Sequence, residues 1–260
     1  MFHVEHRSPM NKIIAVTNQK GGVGKTTTSI NLAAALAVKK QRGLLIDFDP
    51  QGMSTAGLGV AREPNKGIYQ AMMNDKDIMD CVQGTEMDNF YLCPCSPELA
   101  GVEVELYSRE KREYALRETL NLARPRFNYI LIDCPPSLGF LTLNALAAAD
   151  SVLVPVQTEF FCMEGIPDLL HTLNEVRTYF NPELNIEGIL LTMYDDRTNL
   201  SKQVSDEVRK NLKGIVYEVV IPRSIRLAEA PSFGKPVLLY DPRSKGAEAY
   251  LNLAEEMLRK

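Results

Sequence analysis

The sequence predicts an α/β protein built on a mostly parallel, twisted β-sheet with helices on both faces. Three observations carry that prediction. Short apolar runs such as 129–132 and 151–156 alternate with stretches whose apolar residues recur every three or four positions, the pattern of strands separated by helices. These runs are continuously apolar, as expected of strands covered on both sides. A glycine-rich turn at residues 21–24 joins the first apolar run to the first helical stretch. No Pro/Gly/Ser-rich linker or repeat divides the chain, so residues 12–260 read as one domain and residues 1–11 as a flexible extension.

Residues 13–17 form the first expected strand, and Thr26 opens a helix reaching residue 39. The stretch 42–52 predicts a second, buried strand ending in two carboxylates, Asp47 and Asp49. Residues 53–89, rich in Gly, Met and acids, predict only short helical pieces. Residues 89–93 predict a third strand, and 97–122 a helix interrupted near Ser108. The run at 129–133 is a buried strand ending in Asp133. A helix closing near Ala149 leads to a strand at 151–156. Ile166, Leu169, Leu170, Leu173 and Val176 then mark a helix by their spacing. After a strand at 186–192, Asn199 opens a helix whose Leu200, Val204, Val208 and Leu212 form one stripe, closed by Gly214. Residues 244–259 form the last helix.

Composition narrows the function. No run of about 20 apolar residues exists to span a bilayer, since the most apolar stretch, 140–156, is broken by Asn144 and Asp150. Residues 1–11 lack the apolar core of a signal peptide, so a cytoplasmic protein is expected. Five cysteines without C-x-x-C spacing predict reduced thiols, with a metal or redox pair at Cys93 and Cys95 as the lesser reading. The net charge of −4 conceals an asymmetry: residues 197–260 hold 12 Lys/Arg against 8 Asp/Glu, whereas the first 196 hold 17 against 25. A basic quarter in an acidic chain points to a polyanion-facing surface.

The chemistry centres on Gly21, Gly22, Val23, Gly24, Lys25, Thr26 and Thr27. Glycines without Cβ atoms let successive N–H groups turn inward around an anion, and the helix N-terminus adds its positive end. Lys25 would reach the β- and γ-phosphates of a nucleotide, with the Thr26 hydroxyl on Mg²⁺. Asp133, at the end of a strand beside this loop, would hold the same Mg²⁺ directly or through water. The usual G-x-x-x-x-G-K-[ST] pattern places glycine five positions before Gly24. Here Gln19 stands there, followed by Lys20. Asp47 and Asp49 are read as pointing to opposite sides of the strand, so that only one faces the attacking water. No arginine is evident as a finger, so slow hydrolysis is expected.

The K-G-G-V-G-K-T-T sequence is the deviant Walker A form, and the chain resembles the ParA/Soj/MinD group of P-loop NTPases. D-C-P-P-S-L-G at 133–139, L-T-M-Y-D-D-R-T-N-L at 191–200 and the segments 221–236 and 240–246 resemble the ParA/Soj branch. That resemblance implies an ATPase binding ATP and Mg²⁺, with Lys20 acting across a homodimer that sandwiches two nucleotides. It implies that Asp49 is needed for hydrolysis and that Asp47 supports the Mg²⁺ shell. Met193 and Pro222 match positions packing the adenine. Arg197 and Arg226 match positions implicated in contact with double-stranded DNA, bound without sequence preference; Arg223, Lys235, Arg243 and Lys245 are weaker correspondences. A ParB-like centromere-binding partner would stimulate hydrolysis and release a nucleoid-associated dimer. Two other readings belong to different classes. A MinD-like membrane-associated ATPase would need a basic amphipathic segment where this chain has A-E-E-M-L-R-K. An iron–sulfur electron-transfer protein would need a companion for Cys134.

Overall fold

The computed structural model describes residues 11–73, 76–159 and 162–260. Its sheet comprises β1 (Lys12–Val16), β2 (Gly43–Asp47), β3 (Gln83–Gly84), β4 (Phe90–Cys93), β5 (Tyr129–Asp133), β6 (Ser151–Gln157) and β7 (Asn185–Thr192). The strand order is β3-β4-β2-β5-β1-β6-β7. Pairing is parallel throughout except for β3, which runs antiparallel along β4 at the edge. Six helices of nine or more residues occur among the described residues: α1 (Lys25–Val38), α2 (Ala115–Ala123), α3 (Phe140–Ala148), α4 (Cys162–Tyr179), α5 (Asn199–Asn211) and α6 (Lys245–Arg259).

Strand alternation divides the core in two. Ile13, Ala15, Leu44 and Ile46 pack with α2, α3, α4 and α5. Ile14, Val16 and Leu45 face the other way, onto α1 and α6. Helix α1 is buried almost all round, because its Ala33, Ala34, Ala35 and Ala37 let it lie close on the sheet. Two bonds fasten it to the C-terminal quarter. Thr28 Oγ1 and the Tyr250 hydroxyl of α6 are 3.2 Å apart, and Asn31 Oδ1 accepts from the backbone N–H of Val237 at 2.7 Å.

The strand order reverses at β1, with β2 and β5 on one side and β6 on the other. The carboxyl ends of strands at such a reversal form a crevice where α/β proteins bind ligands. Val16 and Asp133 are register partners there, and so are Asp47 and Asp133. The glycine loop leaves β1 at the same level.

Several expected elements take different forms. The helical pattern of 97–122 breaks into 3₁₀ turns and the short helix Val102–Glu105 before α2, because Arg109 is extended and Lys111 left-handed, φ 55. The interruption falls where Ser108 placed it. Leu200 does not join the buried stripe of α5. It lies in the first turn and is 45% exposed, whereas Val204 and Val208 are buried. Cys81, Cys93, Cys95 and Cys134 are free thiols, and burial raises Cys95 to about 12. The expected extension falls, but for Asn11, outside the described residues.

Candidate active site

The loop after β1 is fixed by its own side chains and by two neighbouring strands. Asn18 Nδ2 donates to Pro155 O at 2.7 Å, and its Oδ1 accepts from the Lys20 N–H at 3.0 Å. Thr192, the last residue of β7, donates its hydroxyl to Val23 O at 2.8 Å. Gly24 caps α1 in the left-handed region, φ 89, where a side chain would be strained.

Lys25 is 7% exposed, and its ammonium donates to Lys20 O at 3.0 Å. Burial lowers its pKa, while the nearby carboxylates of Asp133 and Asp49 oppose that shift. Asp133 is fully buried and held by hydroxyls: Ser29 donates to Oδ1 at 3.0 Å and Ser54 to Oδ2 at 2.7 Å. Burial raises Asp133 to about 6 against those hydroxyl bonds and that of Thr26. Asp47 rises to about 7, first through burial and then through repulsion from Asp133. Its Oδ2 accepts from the Thr55 N–H at 2.7 Å and the Thr55 hydroxyl at 2.6 Å. Its Oδ1 is buried without a partner.

Asp47 and Asp49 do not point to opposite sides of one strand, as the sequence reading expects. Residues two apart on a strand share a face, and β2 ends at Asp47, leaving Asp49 in the turn beyond. Asp49 is 8% exposed, and its Oδ1 accepts from the Gln51 N–H at 2.9 Å. Lys20 lies at the rim, 42% exposed, its ammonium 3.4 Å from Glu159 Oε2.

A cavity of about 230 Å³ opens beside Gly24 and Thr27 and is walled by Met193, Pro222, Leu227 and Tyr250. Met193 and Pro222, 29 positions apart, are thus brought together next to the loop. The parallel bridge between Tyr194 and Pro222 holds their segments side by side.

These residues suit a Mg²⁺-bound nucleotide. Two desolvated carboxylates with raised pKa values and an orphaned buried Oδ1 favour a cation nearby. No group of three or more His, Cys, Asp or Glu among the described residues could hold a metal alone. Mg²⁺ takes one or two carboxylates and completes its shell with phosphate oxygens and water, so this is the donor set it would find.

The basic candidates are divided. Arg197 pairs with Asp195 through both Nε and Nη2. Arg226 contacts Glu229 at 2.9 Å and Asp241 at 3.3 Å, and Lys235 contacts Glu86 at 3.2 Å. Arg223, Arg243 and Lys245 are exposed, with no ion pair among the described residues. Arg223 also lines the cavity.

Sequence reasoning missed the hydroxyls that surround the carboxylates. Ser29 carried a signal, because it lies four residues after Lys25 and so on the same face of α1. Ser54 and Thr55 reach Asp133 and Asp47 only through the fold.

Fold and site define a P-loop nucleotide-binding protein. A family model described as an AAA domain matches residues 11–186. The chromosome partitioning protein ParA of Myxococcus xanthus is 51% identical over 252 residues, covering 96% of this chain and 89% of that one. The sporulation initiation inhibitor protein Soj of Bacillus subtilis is 52% identical over 249 residues, covering 95% and 98%. Among solved structures, cobyrinic acid a,c-diamide synthase from Mycobacterium smegmatis with bound ADP and magnesium matches with a TM-score of 0.84 at 37% identity, covering 95% of this chain and 94% of that one. The cell division ATPase MinD of Pyrococcus furiosus matches with a TM-score of 0.78 at 26% identity, covering 96% and 99%. The chain belongs to the ParA/Soj family of chromosome-partitioning ATPases.

Proposed function

We propose that this chain is a Mg²⁺-dependent ATPase that dimerises on ATP, binds duplex DNA without sequence preference, and is released when a ParB-like partner stimulates hydrolysis. The observation that carries this reading is the gathering of Lys25, Asp133 and Asp49 at the mouth of the glycine loop, with a cavity of about 230 Å³ alongside. Loop amides from Gly21 to Thr27 would bind phosphate oxygens, and Met193 and Pro222 would enclose the adenine. The Lys25 ammonium would exchange the Lys20 carbonyl for the β- and γ-phosphates. Thr26 and Asp133, supported by Asp47, would hold Mg²⁺, which supplies neutralisation of the phosphate charge.

Asp49 would orient the attacking water in line, a task of positioning rather than of strong basicity. Lys20 would cross to the nucleotide of a second copy. Its exposed pair with Glu159 does not prevent this, since such pairs contribute only ~0–1 kcal/mol. Arg197, Arg223, Arg226, Lys235, Arg243 and Lys245 would neutralise DNA phosphates, and the dimer would double their number on one surface. In a test by phosphate release, Asp49→Ala is expected to bind ATP normally yet lose turnover by roughly 100-fold or more. Unchanged turnover would remove Asp49 from that role.

A further inference from the structure

We infer that Arg62 is a positioning residue that clamps the turn carrying Asp49. Its Nη2 donates to Pro50 O at 2.7 Å and its Nη1 to Gln51 O at 3.2 Å. These carbonyls follow Asp49 directly, and the same turn is closed by the Gly52 N–H on Asp49 O at 2.8 Å. Gly52 is left-handed, φ 65, and a Cβ there would lie 2.5 Å from Arg62 Cδ. The guanidinium keeps this position although its Nε is buried without a partner, an arrangement that costs free energy. Downstream, Ser54 and Thr55 are tied to Asp133 and Asp47. Arg62 thus grips the turn from one side while the carboxylates grip its continuation from the other.

A planar guanidinium presents several donors in a fixed fork and can bridge two successive carbonyls, whereas a lysine ammonium is a single point of attachment. Gln51 is exposed, and among the described residues Arg62 is the side chain that bonds the Pro50 and Gln51 carbonyls. Water positioned for in-line attack tolerates little displacement, and an error near 1 Å can cost about 100-fold in rate.

The inference rests on the water-orienting reading of Asp49, and the test separates the two. Full-length wild type, Arg62→Gln, Arg62→Lys, Gly52→Ala and Asp49→Ala are compared by steady-state hydrolysis, by binding of a fluorescent ATP analogue, and by amide hydrogen exchange of residues 50–54 without nucleotide. Both Arg62 variants are expected to lose turnover about 10-fold with an unchanged KM, and their turn amides should exchange faster. Lysine should not rescue, and Gly52→Ala should reproduce the loss with Arg62 intact. Wild-type exchange in both Arg62 variants would overturn the clamp. So would a fall in ATP affinity that Arg62→Lys restores, because the guanidinium would then be contacting phosphate. Normal turnover in Asp49→Ala, with exchange still accelerated in the Arg62 variants, would overturn the role of Asp49 and leave the clamp standing.

Discussion

The phosphate end of the sheet and the basic C-terminal quarter are built by opposite means. At the sheet end, Lys25, Asp47, Asp49 and Asp133 are all buried and lie within one strand-to-loop layer. The Asp133 and Asp47 carboxylates accept from Ser29, Ser54 and Thr55, Asp49 accepts from the Gln51 N–H, and Lys25 donates to the Lys20 carbonyl, so each charged group is held by the fold itself. In the basic quarter the side chains are exposed, and Arg197, Arg226 and Lys235 rest on carboxylates of the same chain. A nucleotide would thus meet a preorganised site, whereas DNA would have to compete with Asp195, Glu229, Asp241 and Glu86. Weak grip by one subunit and firm grip by two is what such a surface would give.

Removing Lys25 should break the contrast most severely. Lys25→Ala deletes the cation buried beside Asp133 and Asp49, and ATP affinity measured by calorimetry should fall by roughly 100-fold or more. Retained affinity would mean that the loop amides suffice. The basic quarter should respond more gently and unevenly. Arg243→Ala and Lys245→Ala remove charges that carry no ion pair among the described residues, so each should lower the salt slope of DNA binding by about 1. Arg197→Ala should lower it less, because Asp195 already holds that guanidinium. Equal slopes for all three would show that the internal pairs are irrelevant to DNA.

The smallest effect concerns pH. Asp47 and Asp133 bind protons more tightly folded than at the ordinary value of 3.8, with folded values of about 7 and about 6. The folded state therefore holds more protons across that window, and the nucleotide-free protein should lose stability as pH rises through it. Asp47→Asn should flatten the trend in denaturant midpoint. A midpoint that rises across the same window would contradict the shifts.

Much of this layer was legible because it is local in sequence. Residues 129–133 are apolar up to their final carboxylate, and β5 ends at Asp133 as read. The glycines before Lys25 fix both the loop and the start of α1. What escaped notice depends on contacts between distant positions. Ser54 reaches Asp133 across 79 positions, and Arg62 folds back onto Pro50 and Gln51 from a segment without regular periodicity. Strand β3 is two exposed residues on an edge, too short for any alternation to show. The basic residues of the last quarter were countable, but which of them carry ion pairs follows only from packing: Asp241 lies 15 positions beyond Arg226 and Glu86 lies 149 before Lys235.

In the proposed function, the site joins two subunits through their nucleotides. The direct measurement is the mass of Asp49→Ala in solution by light scattering, with saturating Mg²⁺ and ATP. Twice the chain mass is expected with ATP, the single chain mass with ADP, and DNA retention by the heavier species alone. A single chain mass under saturating ATP, with nucleotide bound, would contradict it.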